Sequence, residues 1–107
     1  MSLSTHVLDT DSGRPVAGLG VRVRRLVGDS FVEVAAAVTD DDGRVRELLG
    51  DGSWGAGRWQ VVFDVAGLRG PAAFFPAVTL EVAVPDEGHY HAALLLGRFA
   101  YTTYRGS

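Results

Sequence analysis

The sequence predicts an all-β sandwich of about eight short strands, with at most one short helical turn, in a single domain spanning residues 1–107. Three observations lead there. Apolar and polar residues alternate in short runs, the period-2 signature of strands with one buried face. Clusters of Gly, Pro, Asp and Ser interrupt those runs at the spacing expected of a sandwich. No stretch carries the 3.6-residue period of an amphipathic helix. A chain of 107 residues has room for one core and no second one.

The first strand reads from Leu3 to Leu8, with Leu3, Thr5 and Val7 on one face and Ser4, His6 and Leu8 on the other. The turn-rich stretch Asp9–Pro15 ends it. In the second strand Val21 and Val23 alternate with Arg22 and Arg24, and Phe31–Val38 forms a third, rich in Val and Ala. Thr39–Arg44 is a turn in which Gly43 is free to take positive φ. A short apolar piece, Leu48-Leu49, precedes a glycine-rich loop from Gly50 to Arg58. Trp59, Val61 and Phe63 then alternate with Arg58, Gln60 and Val62. Between Asp64 and Ala73, Gly67, Gly70 and Pro71 limit any helix to one turn. Val78, Leu80, Val82 and Val84 alternate with Thr79, Glu81 and Ala83, and Pro85–Gly88 is a hairpin turn. His89–Leu96 and Phe99–Tyr104 complete the set.

Composition excludes several function classes. The apolar fraction of 47%, the 21% of charged residues and the net charge of −3 are those of a soluble domain without the basic footprint needed for nucleic acid or an anionic membrane. Without cysteine there is no disulfide, thiolate metal site or Cys nucleophile. The first residues lack the basic stretch and apolar run of a signal peptide, and no segment approaches the ~20 apolar residues of a membrane span. A cytoplasmic protein is the expectation.

The chemistry-bearing candidates are few. Of the three histidines, His89 and His91 share a strand face with Tyr90 opposite, while His6 looks outward from the first strand. The residue pattern leaves two readings open: solvated histidines, or a site for proton transfer. A three-histidine zinc set is a third, weaker alternative. Arg44 is either a solvated partner of Asp40–Asp42 or a planar fork that holds a polar ring and an oxyanion. Ser107 has no His and Asp partners in sequence that would make it a triad nucleophile. The glycines at 52, 55 and 57 lack the strand-to-helix context of a dinucleotide fingerprint, and Trp54 and Trp59 read as packing residues.

Three segments carry a resemblance. LSTHVLDTDSGRPVAGLGVRV at Leu3–Val23, TDDDGR at Thr39–Arg44 and HYHAALLLGRFAYTTYRGS at His89–Ser107 resemble, in order and spacing, the motifs of the transthyretin-like 5-hydroxyisourate hydrolases. In that superfamily the Tyr-Arg-Gly-Ser ending marks the enzymes and is absent from the hormone carriers. The chain departs from the pattern at Ala93, where the family usually has proline, at Gly97-Arg98, where it has Ser-Pro, and in a shortened Val65–Ala73 stretch. The resemblance implies a transthyretin-like sandwich that hydrolyses 5-hydroxyisourate to 2-oxo-4-hydroxy-4-carboxy-5-ureidoimidazoline in urate degradation. It implies His6, Arg44 and His91 as catalytic residues, and Tyr104, Arg105 and Ser107 with His6 and Arg44 as substrate-binding residues. It ranks His89 below His91. It also implies no cofactor or metal, and a homotetramer with its active sites in a channel between dimers. The main rival is a carrier that binds a small aromatic ligand in the same channel without chemistry.

Overall fold

The structure, a computed structural model, describes residues 2–50 and 52–106. Eight strands and one short helix follow each other along the chain: β1 Leu3–Asp9, β2 Gly20–Val27, β3 Ser30–Val38, β4 Arg44–Val45, β5 Gly57–Asp64, α1 Val65–Arg69, β6 Val78–Val84, β7 Tyr90–Leu96 and β8 Tyr101–Gly106. They form two four-stranded sheets in the orders β4-β1-β7-β8 and β3-β2-β5-β6. The all-β sandwich with minimal helix is therefore what the chain adopts.

The alternation read from the sequence sets which faces meet. Leu3 and Val7 of β1, with Leu94 and Leu96 of β7, turn inward from the first sheet. Val21, Val23, Trp59, Val61, Phe63 and Val78 meet them from the second, all of these side chains being at most 1% exposed. Burying a set of this size removes roughly 1.5–3 kcal/mol worth of apolar surface per side chain from water, which makes it the main source of stability. Both tryptophans pack here. Trp54 lies 4.7 Å from Trp59 between ring centroids, and its indole N–H donates to the Gly88 carbonyl at 2.8 Å. The register slips between Val23 and Arg24, and along β3 the alanines Ala35 and Ala37 pack against the core while Val32, Val34 and Val38 stay exposed.

The helix is as short as expected. The Asp64 carboxylate accepts from the Gly67 N–H at 3.0 Å and caps it. Gly70, at φ 97°, ends it. Arg69 in its last turn reaches Asp9 at the end of β1 (2.7 Å), a contact about three-quarters shielded from solvent on both sides.

Three of the boundaries that differ from the sequence reading bear on the site. Arg44, expected in a turn, starts the two-residue strand β4 beside β1. Strand β7 begins at Tyr90, so His89 lies just ahead of it. The last strand runs Tyr101–Gly106 instead of Phe99–Tyr104, because the chain reverses at Gly97–Ala100, where the Gly97 N–H donates to the Ala100 carbonyl at 2.9 Å. Phe99, assigned to a strand on hydrophobicity, sits on that turn and is 73% exposed.

One buried polar contact holds the loop after β1 to the end of β3. The Thr39 hydroxyl donates to the Val16 carbonyl (2.6 Å) and accepts from the Leu19 N–H (2.9 Å), with the side chain buried. Thr39→Val keeps the shape and strands both backbone groups, so a loss of about 1–3 kcal/mol is expected. A lower urea midpoint at unchanged m-value is the observation that checks it, and an unchanged midpoint would contradict it.

Candidate active site

The sheet β4-β1-β7-β8 presents its outer face as rows of side chains fixed by register. His6 is paired with Arg44 on one side, in an antiparallel ladder, and with Ala93 on the other, in a parallel one. Ala93 in turn faces Tyr104. The adjacent row runs from Ser4 to His91 to Gly106. Paired residues in a sheet point to the same side. Because Leu3, Thr5 and Val7 are buried, Ser4 and His6 turn outward, and His6, His91 and Arg44 converge from three strands on one surface.

Arg44 is held there by its backbone. The Asp40 carboxylate accepts from the Asp42 and Arg44 N–H groups, both at 2.9 Å, and these bonds, the one from Arg44 first, hold the Asp40 carboxyl below its ordinary pKa. Gly43, at φ 72°, packs directly on β1: a Cβ there would collide with the Val7 carbonyl oxygen, and the Gly43 carbonyl accepts from the Val7 N–H at 2.8 Å. A glycine is therefore required both by the left-handed conformation and by the close approach that brings Arg44 alongside His6. Asp42 pairs with Arg46 at 3.7 Å, and no carboxylate among the described residues lies within salt-bridge distance of the Arg44 guanidinium.

His91 is half-buried, and its Nδ1 lies 2.7 Å from the Ser4 hydroxyl. The same hydroxyl is 3.1 Å from Nε2 of the exposed His89. Burial pushes the His91 pKa below the ordinary imidazole value, and the neighbouring charges of Arg44, His6 and His89 push it further the same way. Both effects favour the neutral ring, the form that can accept a proton. On its other flank it lies against Gly106: a Cβ built at that position would collide with His91 Cδ2 and meet Cγ at 3.2 Å.

A cavity of about 250 Å³ opens on this face, lined by Ser4, Arg44, Arg46, His89 and His91 among others. His6 lies beside it, one pairing from Arg44. Its lining is mainly polar side chains with spare donors, suited to a small polar ring. Tyr104 stands on the same face, 56% exposed. The structure does not bring Arg105 there. Arg105 pairs with Ala92, faces the other way, and stacks over the Tyr90 ring at 4.4 Å, in a second cleft of about 610 Å³ between β6 and β8 whose lining also includes His91 and Tyr104. Ser107 lies outside the described residues. The three histidines do not form a zinc set: among the described residues no group of three His, Cys, Asp or Glu side chains is placed to hold a metal ion.

Two residues of this face escaped the sequence reading. Ser4 was legible as sharing a strand face with His6, yet nothing local tied it to His89 and His91. Gly106 belongs to the terminal motif, but only the β7–β8 register shows what its missing side chain makes room for.

Comparison with known proteins bears on the fold and the family. The sequence profile of the HIUase/Transthyretin family matches residues 3–106. The 5-hydroxyisourate hydrolase of Deinococcus radiodurans is 42% identical over 113 aligned positions, covering 98% of this chain and 95% of its own. Among solved structures, sea bream transthyretin in complex with thyroxine superposes with a TM-score of 0.89 at 28% identity, covering 99% of this chain and 95% of its own. The 5-hydroxyisourate hydrolase of Klebsiella pneumoniae does so with a TM-score of 0.83 at 27% identity, over 100% of both chains. With its fold, its profile match and its relatives in agreement, this chain belongs to the HIUase/transthyretin family.

Proposed function

We propose that this chain hydrolyses 5-hydroxyisourate, opening the six-membered ring at an amide bond to give 2-oxo-4-hydroxy-4-carboxy-5-ureidoimidazoline. The observation that carries the reading is the convergence of His6, Arg44 and His91 on one outer sheet face, from strands far apart in sequence. Hydrolysis needs a water relieved of its proton as it attacks a ring carbonyl, and a donor for the charge that develops on the carbonyl oxygen. His91, whose neutral form is favoured by burial first and then by the nearby Arg44 guanidinium, is suited to take the proton. His6 completes the pair of imidazoles, and the planar fork of Arg44, with no carboxylate among the described residues to neutralise it, orients the ring and stabilises the oxyanion. Tyr104 flanks the ring on the β8 side. Neither a metal nor an organic cofactor enters this scheme.

The cavity is smaller than the roughly 300–1,000 Å³ of a complete small-molecule site. A second protomer laid over the same face would enlarge and enclose it, so the proposed active form is a homotetramer with its sites between dimers.

Following the ultraviolet decay of freshly generated 5-hydroxyisourate tests the reading. The protein is expected to accelerate decay well beyond the spontaneous rate, at the light-scattering mass of four chains. Arg44→Ala is expected to lower kcat by about 10²–10³-fold, the cost of losing one oxyanion donor, with the fold retained because the turn is held by backbone bonds. Decay no faster than in buffer would refute the activity, and wild-type turnover in Arg44→Ala would refute the role of the guanidinium.

The likeness to a thyroxine-bound transthyretin favours one other reading, a carrier that uses this face without chemistry. Such a protein would bind an aromatic ligand and leave the decay rate untouched. The half-buried, neutral-leaning imidazole beside a guanidinium that no carboxylate among the described residues pairs with supports hydrolysis over carriage.

A further inference from the structure

Ser4 has no part in the scheme above, yet it is the hub of the site's hydrogen bonding. Its side chain is buried, and its Oγ lies between His91 Nδ1 at 2.7 Å and His89 Nε2 at 3.1 Å. A hydroxyl carries one hydrogen and two lone pairs, so between two neutral imidazoles it can donate to one ring and accept from the other. Two arrangements follow. In the first, His91 Nδ1–H donates to Oγ and Oγ–H donates to His89 Nε2, which leaves the lone pair of His91 Nε2 free to act as a base. In the second, every hydrogen has moved one place along, and His91 Nε2 carries a proton.

We infer that Ser4 joins His91 to His89 in a proton relay, an inference that rests on the hydrolase reading and deepens it. As His91 Nε2 takes a proton from the attacking water, the Nδ1 proton passes to Ser4 Oγ and the Oγ proton passes to His89 Nε2. One O–H bond of water breaks, one Nε2–H bond forms, and the positive charge comes to rest on His89, with no change in oxidation state. When the ring nitrogen leaves, His91 Nε2 gives it the proton and the two shifts run backwards, restoring the starting tautomers.

The surroundings explain the direction. A cation on His91 would be half-buried and would face Arg44 of β4 and His6 of β1, with Arg46 lining the same cavity. His89 lines the same cavity but sits ahead of β7 and is exposed, so water solvates a charge there better than on half-buried His91. Ser4 is thus a positioning residue: it fixes which nitrogen of His91 faces the substrate and where the proton goes next.

The test combines turnover with a readout that does not depend on turnover. In the wild-type protein the ring ¹⁵N shifts of His91 are expected to show a hydrogen on Nδ1 and a bare Nε2 in the neutral ring. In Ser4→Ala that tautomer preference should be lost, and Ser4→Thr, which keeps the hydroxyl, should restore it. Ser4→Ala and His89→Ala should each lower kcat by roughly 10- to 100-fold, part of the 10²–10⁴ that general base catalysis supplies, with KM little changed. The double variant should lose no more than either single one, because both changes break the same relay. Wild-type kcat in Ser4→Ala, or losses that multiply in the double variant, would overturn the relay while leaving the hydrolase reading in place. A wild-type protein that fails to speed decay would overturn the hydrolase reading itself and the relay's catalytic role with it.

Discussion

His91→Gln is expected to lower kcat on 5-hydroxyisourate by about 10²–10⁴-fold, the contribution of a general base, in a protein that stays folded. Glutamine keeps a polar group in reach of Ser4 and fills similar space, so the loss isolates the basic nitrogen from the packing. The wild-type pH profile gives a second measure. The His91 pKa is lowered, so the neutral form persists to more acid pH than in a free imidazole, and kcat/KM should stay level until the pH is below 6.5. The same shift has a stability consequence. The unfolded chain binds this proton more tightly than the folded one, so His91 contributes stability above pH 6.5 that is lost as pH falls through its folded value. In His91→Gln that contribution to the pH dependence of the denaturation midpoint should be gone. An acid limb above pH 6.5, or a variant with wild-type kcat, would show that another group is the base.

Gly106→Ala is expected to cost about 10²-fold in kcat without unfolding the protein. The added Cβ would occupy the place of His91 Cδ2, and an ångström of displacement of a reacting group is enough for a loss of that order. The backbone at Gly106 does not have positive φ, so alanine carries no conformational penalty there, and β8 is an edge strand whose residues are mostly exposed. The effect should therefore fall on the imidazole: a changed His91 ring orientation in a crystal structure, a lost kcat, and a thermal midpoint within a few degrees of wild type. A variant with full activity would mean that the His91 ring can retreat at no cost to catalysis, and the terminal glycine would need another explanation.

Much of this protein was legible in one dimension. Alternation over Trp59–Phe63 and Val78–Val84 identified inward faces, because a strand places every second side chain on the same side whatever it packs against. The helix could be limited to one turn from Gly67, Gly70 and Pro71, since these act through their own backbone. His6 could be read as outward-facing from the burial preference of Leu3 and Val7 alone. The boundaries of the last strand were not legible in the same way. Phe99 is apolar enough for a strand, and only the pairing of β8 with β7 places it on a turn.

The sequence by itself determined the class of fold, the outward direction of His6, and, through its motifs, the family. Only the tertiary structure decided which of the candidate side chains meet. Ser4 and His89 are 85 positions apart, and nothing local makes β1 run parallel to β7 or sets their register. That register follows from burying Leu3 and Val7 with Leu94 and Leu96 in one core, since a slip of one residue would turn every one of them to solvent. The same constraint puts Arg105 behind the sheet while Tyr104 stays in front, although the two are adjacent in the chain. Contacts between distant residues are properties of packing, and packing is settled by the whole chain at once.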